Sequence, residues 1–223
     1  HGRAHGVGQG FSNHRKRGWG RKIEAAPGMG NRTLFGPSMQ AAVPSPTMQP
    51  DAPAIPPEAQ QLVSALGLQP HPEGGYYKEV YRSPLALPAA SLPGAYGGFD
   101  RPAATSIYFL LFQGIFSAFH RLAPDEGWHH YLGSPVHIYS LDETHGLQEH
   151  LLGKDFAAGQ VPQLHVPGHT WFASEVAAPG GWALVGCTVA PGFDFRDFEL
   201  AAADHLVAQW PAHTALIRRL CRQ

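Results

Sequence analysis

Cysteine is scarce in this chain: Cys187 and Cys221 are the two among 223 residues. Two thiols cannot staple a small secreted fold, so no disulfide framework is expected, and a reducing compartment is the simpler reading. Long apolar runs are missing as well. The best of them, residues 107–112, stops at Gln113 and Gly114, far short of the roughly 20 residues that a membrane-spanning helix needs. The chain is therefore read as soluble, with no membrane partner. The G-x-S-x-G elbow, the phosphate-cradling G-x-x-x-x-G-K-[ST], the C-x-x-C pair and the dinucleotide fingerprint are all absent. Their absence leaves no motif for an elbow-serine hydrolase, a nucleotide hydrolase, a dithiol redox protein or a dinucleotide enzyme.

Charge is sparse at 15%, and the formal net charge of -1 hides an uneven spread. Residues 1–57 hold seven basic side chains (Arg3, Arg15, Lys16, Arg17, Arg21, Lys22 and Arg32) against Glu24 and Asp51, a net of +5 that leaves -6 for the rest. An acidic remainder argues against a nucleic-acid-binding core. The basic part is rich in Gly, Pro, Arg and His, has little apolar periodicity and ends in Pro44, Pro46, Pro50, Pro53, Pro56 and Pro57. Such a segment cannot bury enough surface to offset its ordering entropy, so residues 1–57 are expected to be a disordered leader. Its composition suits an organelle transit peptide; a linker tail, a fragment or translated upstream sequence are the alternatives, since the chain begins at His1. Localisation is read as intracellular and cytoplasmic by default, with organelle import open.

Residues 58–223, supported by a 43% hydrophobic content across the chain, are expected to fold as one domain. Leu62, Val63 and Leu66 form the stripe of a short amphipathic helix that Gly67 can end. Residues 71–75 (H-P-E-G-G) read as a turn, 76–82 as a strand and 83–104 as a surface loop. From residue 105 short strands follow at close spacing: 106–113, 115–121, 127–132, 136–142, 147–152, 161–166, 170–176 and 182–190. That spacing is typical of a sandwich or barrel. Residues 106–112 are apolar on both alternating faces, so one side is expected inside a barrel and the other under a second layer or a partner subunit. Residues 199–209 and 211–220 are read as two closing helices.

Chemistry concentrates in residues 119–133, F-H-R-L-A-P-D-E-G-W-H-H-Y-L-G. An imidazole and a carboxylate brought together by a turn can share a proton or a metal. His120, Glu126 and Tyr108 are the candidate catalytic residues: His120 to take a proton from carbon beside a carbonyl and Glu126 to hold its tautomer, with Tyr108 near them. Glu73, Lys78, Trp128, His129, His130 and Trp171 are the candidate ligand-binding residues. Each has a duller alternative: Glu126 bonded to backbone amides, Tyr108, Trp128 and Trp171 packed in the core, Lys78 solvated, Glu73 merely part of a glycine turn.

Five phrases, at residues 71–83, 105–111, 119–135, 166–171 and 184–200, resemble in order a cupin family catalogued as a domain of unknown function. Glu126, six residues and Gly133 match the second half of the first cupin motif, with His120 at its first metal-binding histidine. The resemblance implies an all-β fold, a cupin double-stranded β-helix (jelly roll) with a short N-terminal helix and C-terminal helices. It also implies a homodimer and a likeness to dTDP-sugar epimerases, seed-storage proteins and germins; the epimerase likeness implies that Tyr108 returns a proton on the other face. The motif's second histidine is Leu122 here, and its last metal-binding histidine is Phe172. Two of four ligands remain, so no metal or other cofactor is expected; a divalent ion would need recruits among His129, His130, His165 and His169. Three functions stay open: a metal-independent pocket of epimerase or isomerase type for a sugar-like or carbonyl compound, a non-catalytic binding or storage-like protein, and a metal-dependent enzyme.

Overall fold

The structure, a computed structural model, describes residues 54–222. The expected leader therefore lies almost wholly outside the described residues. Helix α1 spans Pro57–Leu66, opens on a proline that needs no N–H partner and closes at Gly67, whose φ of 65° suits a residue without a Cβ. Among the described residues no helix is long and apolar enough to cross a membrane.

The strands follow as β1 (Gln69–Pro70), β2 (Tyr76–Arg82), β3 (Ala86–Leu87), β4 (Arg101–Pro102), β5 (Thr105–Phe112), β6 (Phe116–Arg121), β7 (Asp125–Gly133), β8 (Val136–Asp142), β9 (Gly146–Leu152), β10 (Gln163–Val166), β11 (Trp171–Val176), β12 (Trp182–Ala190) and β13 (Glu199–Leu200). Two short helices, α2 (Ala203–Gln209) and α3 (Thr214–Leu220), close the chain. A six-stranded sheet runs β1-β2-β5-β12-β7-β10 and a five-stranded one β13-β6-β11-β8-β9, with all named pairings antiparallel. This is the expected all-β jelly roll.

Alternation assigns each face a layer. Phe109, Leu111, Trp128, Ile138, Phe172 and Val185 meet between the sheets, each contributing roughly 1.5–3 kcal/mol by burial. On the outer side of β5, Leu110 packs with Ala59 and Leu68 and with partly buried Tyr108, which makes α1 the second layer that residues 106–112 require. The outer side of the five-stranded sheet puts Phe119, Leu141 and Trp171 against Leu206, Ile217 and Leu220 of α2 and α3.

Two expectations need correction. Residues 199–200 are not helical; they pair with β6 as β13, Glu199 beside Arg121 and Leu200 beside His120, and α2 begins only at Ala203. Residues 83–104 are more than a surface loop. They hold the β3–β4 pair and the buried Arg101, whose guanidinium is gripped by Asp197 and stacks on Phe99 at 4.3 Å.

Candidate functional site

The turn at residues 71–75 carries the first part of the site. Its backbone closes on itself through Gly74 N–H to His71 O and His71 N–H to Gly75 O, both 3.0 Å. It then docks on β6, where Ala118 N–H donates to Glu73 O at 2.9 Å. Gly74 makes the docking feasible: its φ is 115°, and a Cβ there would collide with Phe116 O. The result is that Glu73, from a turn remote in sequence, enters the barrel with 6% of its surface exposed.

A register shift in β6 supplies the second part. Ser117 opposes Ser174 while His120 opposes Phe172, so three steps on β6 match two on β11. This extra residue lets both Ser117 and His120 face inward although they lie an odd number of positions apart. Ser117 Oγ donates to Glu73 Oε1 at 2.9 Å, and His120 Nε2 stands 3.3 Å from Glu73 Oε2. His120 Nδ1 donates to Ala118 O at 2.7 Å, which leaves Nε2 as the nitrogen that faces Glu73. On the other side of the carboxylate, His71 Nδ1 lies 3.5 Å from the same Oε2 and accepts from Glu73 N–H at 3.4 Å. Burial lowers the His71 pKa against the opposing pull of Glu73, so His71 is the neutral member.

Glu126 pairs with Val189 and Cys187 with Trp128, so Glu126 and Cys187 sit on diagonal inward positions of β7 and β12. Burial, reinforced by the Glu73 charge and opposed by a hydrogen bond from Cys187, pushes the Glu126 carboxyl up to about 8. Burial and then Glu126 drive the Cys187 thiol well above its ordinary value, so it acts as a donor and not as a nucleophile. At neutral pH the interior thus holds one carboxyl that keeps its proton and a second that stands between two imidazoles. Two carboxyls set apart in this way can serve as acid and base.

Aromatic rings close the cluster. Phe172 and Phe198 lie 4.1 Å and 5.3 Å from the His120 ring, and Phe195 stacks on His71 at 6.2 Å. A cavity of about 290 Å³ opens among Phe99, Arg121, Leu122, His169, Arg196 and Glu199, and none of its lining residues belongs to this cluster.

The structure brings His120, Glu73, Glu126 and Trp128 to the barrel interior, but the carboxylate partner of His120 is Glu73, not Glu126. The other expected residues are elsewhere. Tyr108 lies on the outer face of β5 beside the α1 cluster and Tyr131, because it alternates with the inward Phe109. Lys78, paired with Tyr108 on that outer face, donates to Leu66 O at 2.8 Å and caps α1. Trp171 packs under α2 and α3 with the Arg121 guanidinium 4.4 Å from its ring. His129 shares the outer side of Gly127 with His165. His130 bonds Ser134 O at 2.9 Å near the end of β7. Sequence reasoning passed over His71, Ser117 and Cys187; the H-P-E-G-G turn, with its two glycines, was the one signal for the first.

Residues 60–201 match the family described as Cupin superfamily (DUF985). The chain belongs to this cupin family. The cupin is similar to the uncharacterized protein YML079W of Saccharomyces cerevisiae, 31% identical over 161 residues that make up 65% of this chain and 76% of the yeast protein. Its fold is similar to a hypothetical protein from Leishmania major, with 34% identity, a TM-score of 0.67 and coverage of 74% of this chain and 99% of that one. Protein SO0799 from Shewanella oneidensis gives 40% identity and a TM-score of 0.65 over 74% of this cupin and 97% of the other chain.

Cupin motifs often hold a metal, and the donor chemistry here can be tested against one. Leu122 and Phe172 offer no lone pair, and the Phe172 ring occupies the side of His120 where another imidazole would approach. Both His120 nitrogens already face oxygen, His130 bonds Ser134 O through Nε2, and His129 and His165 lie together on the outer side of Gly127. Among the described residues no three of His, Cys, Asp and Glu are placed to hold a metal ion. This donor set does not fit a resident cation.

Proposed function

We propose that this cupin binds a small sugar-like or carbonyl compound in its barrel and moves a proton on it without a metal, as an epimerase or isomerase does. The observation that carries the reading is Glu73 Oε2 lying between two imidazoles, 3.3 Å from His120 Nε2 and 3.5 Å from His71 Nδ1, beside a second carboxyl. His120 is the base that takes a proton from carbon next to the carbonyl. Glu73, fixed by Ser117, stabilises the imidazolium that forms. Glu126, holding its proton, donates toward the carbonyl oxygen as negative charge builds there.

Deuterium uptake tests this directly. Cyclohexanone and dihydroxyacetone, incubated with the full chain in D2O at pH 7, should gain deuterium beside the carbonyl faster than in buffer, and His120→Ala should reduce the gain by about 100-fold or more while the fold persists by circular dichroism. A fully active His120→Ala protein would end the assignment. The alternative, a binding or storage-like protein, has its own support: His120 is only 2% exposed and is packed against two aromatic rings, which suits retention of a ligand. It predicts probe binding with no deuterium gain. We also propose a homodimer, for which Tyr81, Tyr131 and Leu132, exposed on the outer face of the six-stranded sheet, supply apolar surface; native mass spectrometry reads the mass.

A further inference from the structure

We propose that the compound the barrel takes is uncharged, and that Trp128 Nε1–H is a donor to its oxygen. This rests on the small-molecule reading above and narrows it to a ligand class.

The charge argument begins with the cations. Arg101 is the one Lys or Arg that is buried among the described residues, and Asp197 holds its guanidinium through both carboxylate oxygens. At the rim, Arg82 is bonded by both oxygens of Glu79 at 2.9 Å and 2.6 Å, Arg121 by Glu199 at 2.7 Å and Arg196 by both oxygens of Asp194 at 2.8 Å and 2.6 Å. Lys78 points to the other face of the sheet. The exposed Arg222 spends its Nη2 on the backbone oxygens of Glu73 and Phe116 behind the turn. Inside the barrel the titratable side chains include His71, Glu73, His120, Glu126 and Cys187, and among the described residues no Lys or Arg is bonded to any of these side chains. A phosphate or carboxylate entering there would give up its hydration to stand beside Glu73 with no free cation to meet it. An uncharged compound has no such cost.

The donor argument rests on a polar atom without a partner. Trp128 has no exposed surface, and its Nε1 has no hydrogen-bond partner. Burying that group unpaired is unfavourable, and native interiors seldom leave it so. The ring stands edge-on to Phe109 at 5.8 Å and to Phe172 at 6.2 Å, the rings that line His71 and His120 respectively. It follows Glu126 by two positions on the same face of β7. Ser174 Oγ, likewise buried without a partner, faces in from the opposite sheet beside Ser117. The interior therefore offers unspent donors between aromatic walls, which suits a carbonyl or hydroxyl oxygen on a compact neutral body.

The test uses the full chain carrying 15N-labelled tryptophan and two matched probe pairs: cyclohexanone with cyclohexanecarboxylate, and D-galactose with galactose 1-phosphate. Trp128→Phe identifies the Trp128 indole resonance by its loss. At least one uncharged probe should move that resonance, its charged partner should leave it in place at the same concentration, and Trp128→Phe should weaken the uncharged probe by about fivefold. A charged probe that moves the resonance, or two uncharged probes that leave it unmoved, overturns the proposal. Equal affinity in Trp128→Phe overturns the donor role. Deuterium uptake separates the two readings: an uncharged probe that binds at Trp128 but gains no deuterium removes the catalytic reading and leaves the ligand class standing.

Discussion

Glu126 offers the sharpest quantitative test. Its carboxyl rises from 4.5 to about 8 in the folded chain, with burial the larger cause and the Glu73 charge the smaller. A carboxyl whose folded pKa lies above its unfolded value binds protons more tightly when folded. Its favourable contribution is therefore complete below about pH 4.5, shrinks as pH rises and is gone above about pH 8. Each pH unit in that window is worth about 1.4 kcal/mol, so the whole window amounts to about 5 kcal/mol, comparable with the total stability of a marginal domain. The perturbation is Glu126→Gln, which keeps shape and an acceptor for the Cys187 thiol but cannot ionise. Denaturant unfolding of both proteins at pH 5, 6, 7, 8 and 9 gives the difference between them, in which groups common to both largely cancel. Wild type should lose ground to the glutamine variant by about 1.4 kcal/mol per pH unit up to about pH 8 and then run parallel to it. A difference that stays flat from pH 5 to 8 would mean that Glu126 is ionised in the folded barrel, and would remove it as the acid.

Two further tests address the scaffold and the discarded tyrosine. Gly74→Ala forces a Cβ into Phe116 O at a φ of 115°, so unfolding free energy should drop by about 2 kcal/mol or more; a loss under about 0.5 kcal/mol would mean the turn docks loosely. Tyr108→Phe should leave deuterium uptake by cyclohexanone unchanged, because the ring lies on the outer face of β5; a tenfold fall would put its hydroxyl back in the reaction.

Local patterns were readable where neighbours in sequence decide the outcome. Strands β8 and β12 begin and end where alternation and turn residues place them, and Pro57 and Gly67 bound α1 as capping rules require. Residues 199–200 defeated the same reasoning, since an apolar pattern running into α2 gave way to ladder bonds with β6. The site was legible in part. His120, Glu126 and Trp128 are inward by alternation, but that rule places Tyr108 inward only if the phase of β5 is known, and an apolar strand covered on both faces hides its phase. The irregular step in β6 that turns Ser117 and His120 to one side has no signature in the residues themselves. Nor does the carriage of Glu73 across to His120, a contact between residues 47 positions apart in the chain.

That long-range contact also bears on how the proposed acid and base are set apart. Glu126 gains part of its elevation from the Glu73 charge, and Glu73 holds that charge beside His120 and Ser117. One turn therefore bears on both groups: its carboxylate meets the imidazole directly and adds to the burial that keeps the second carboxyl protonated. In a metal-binding cupin the cation would organise such ligands by drawing them to one centre. Here Leu122 and Phe172 remove two of the four donors of that centre, and a carboxylate held by Ser117, by Gly74 at the backbone and beside the two imidazoles lies among the inward groups. Weakening the Glu73 charge should then lower the Glu126 pKa as well as loosen His120, so acid and base would fail together although the two side chains stand on different strands.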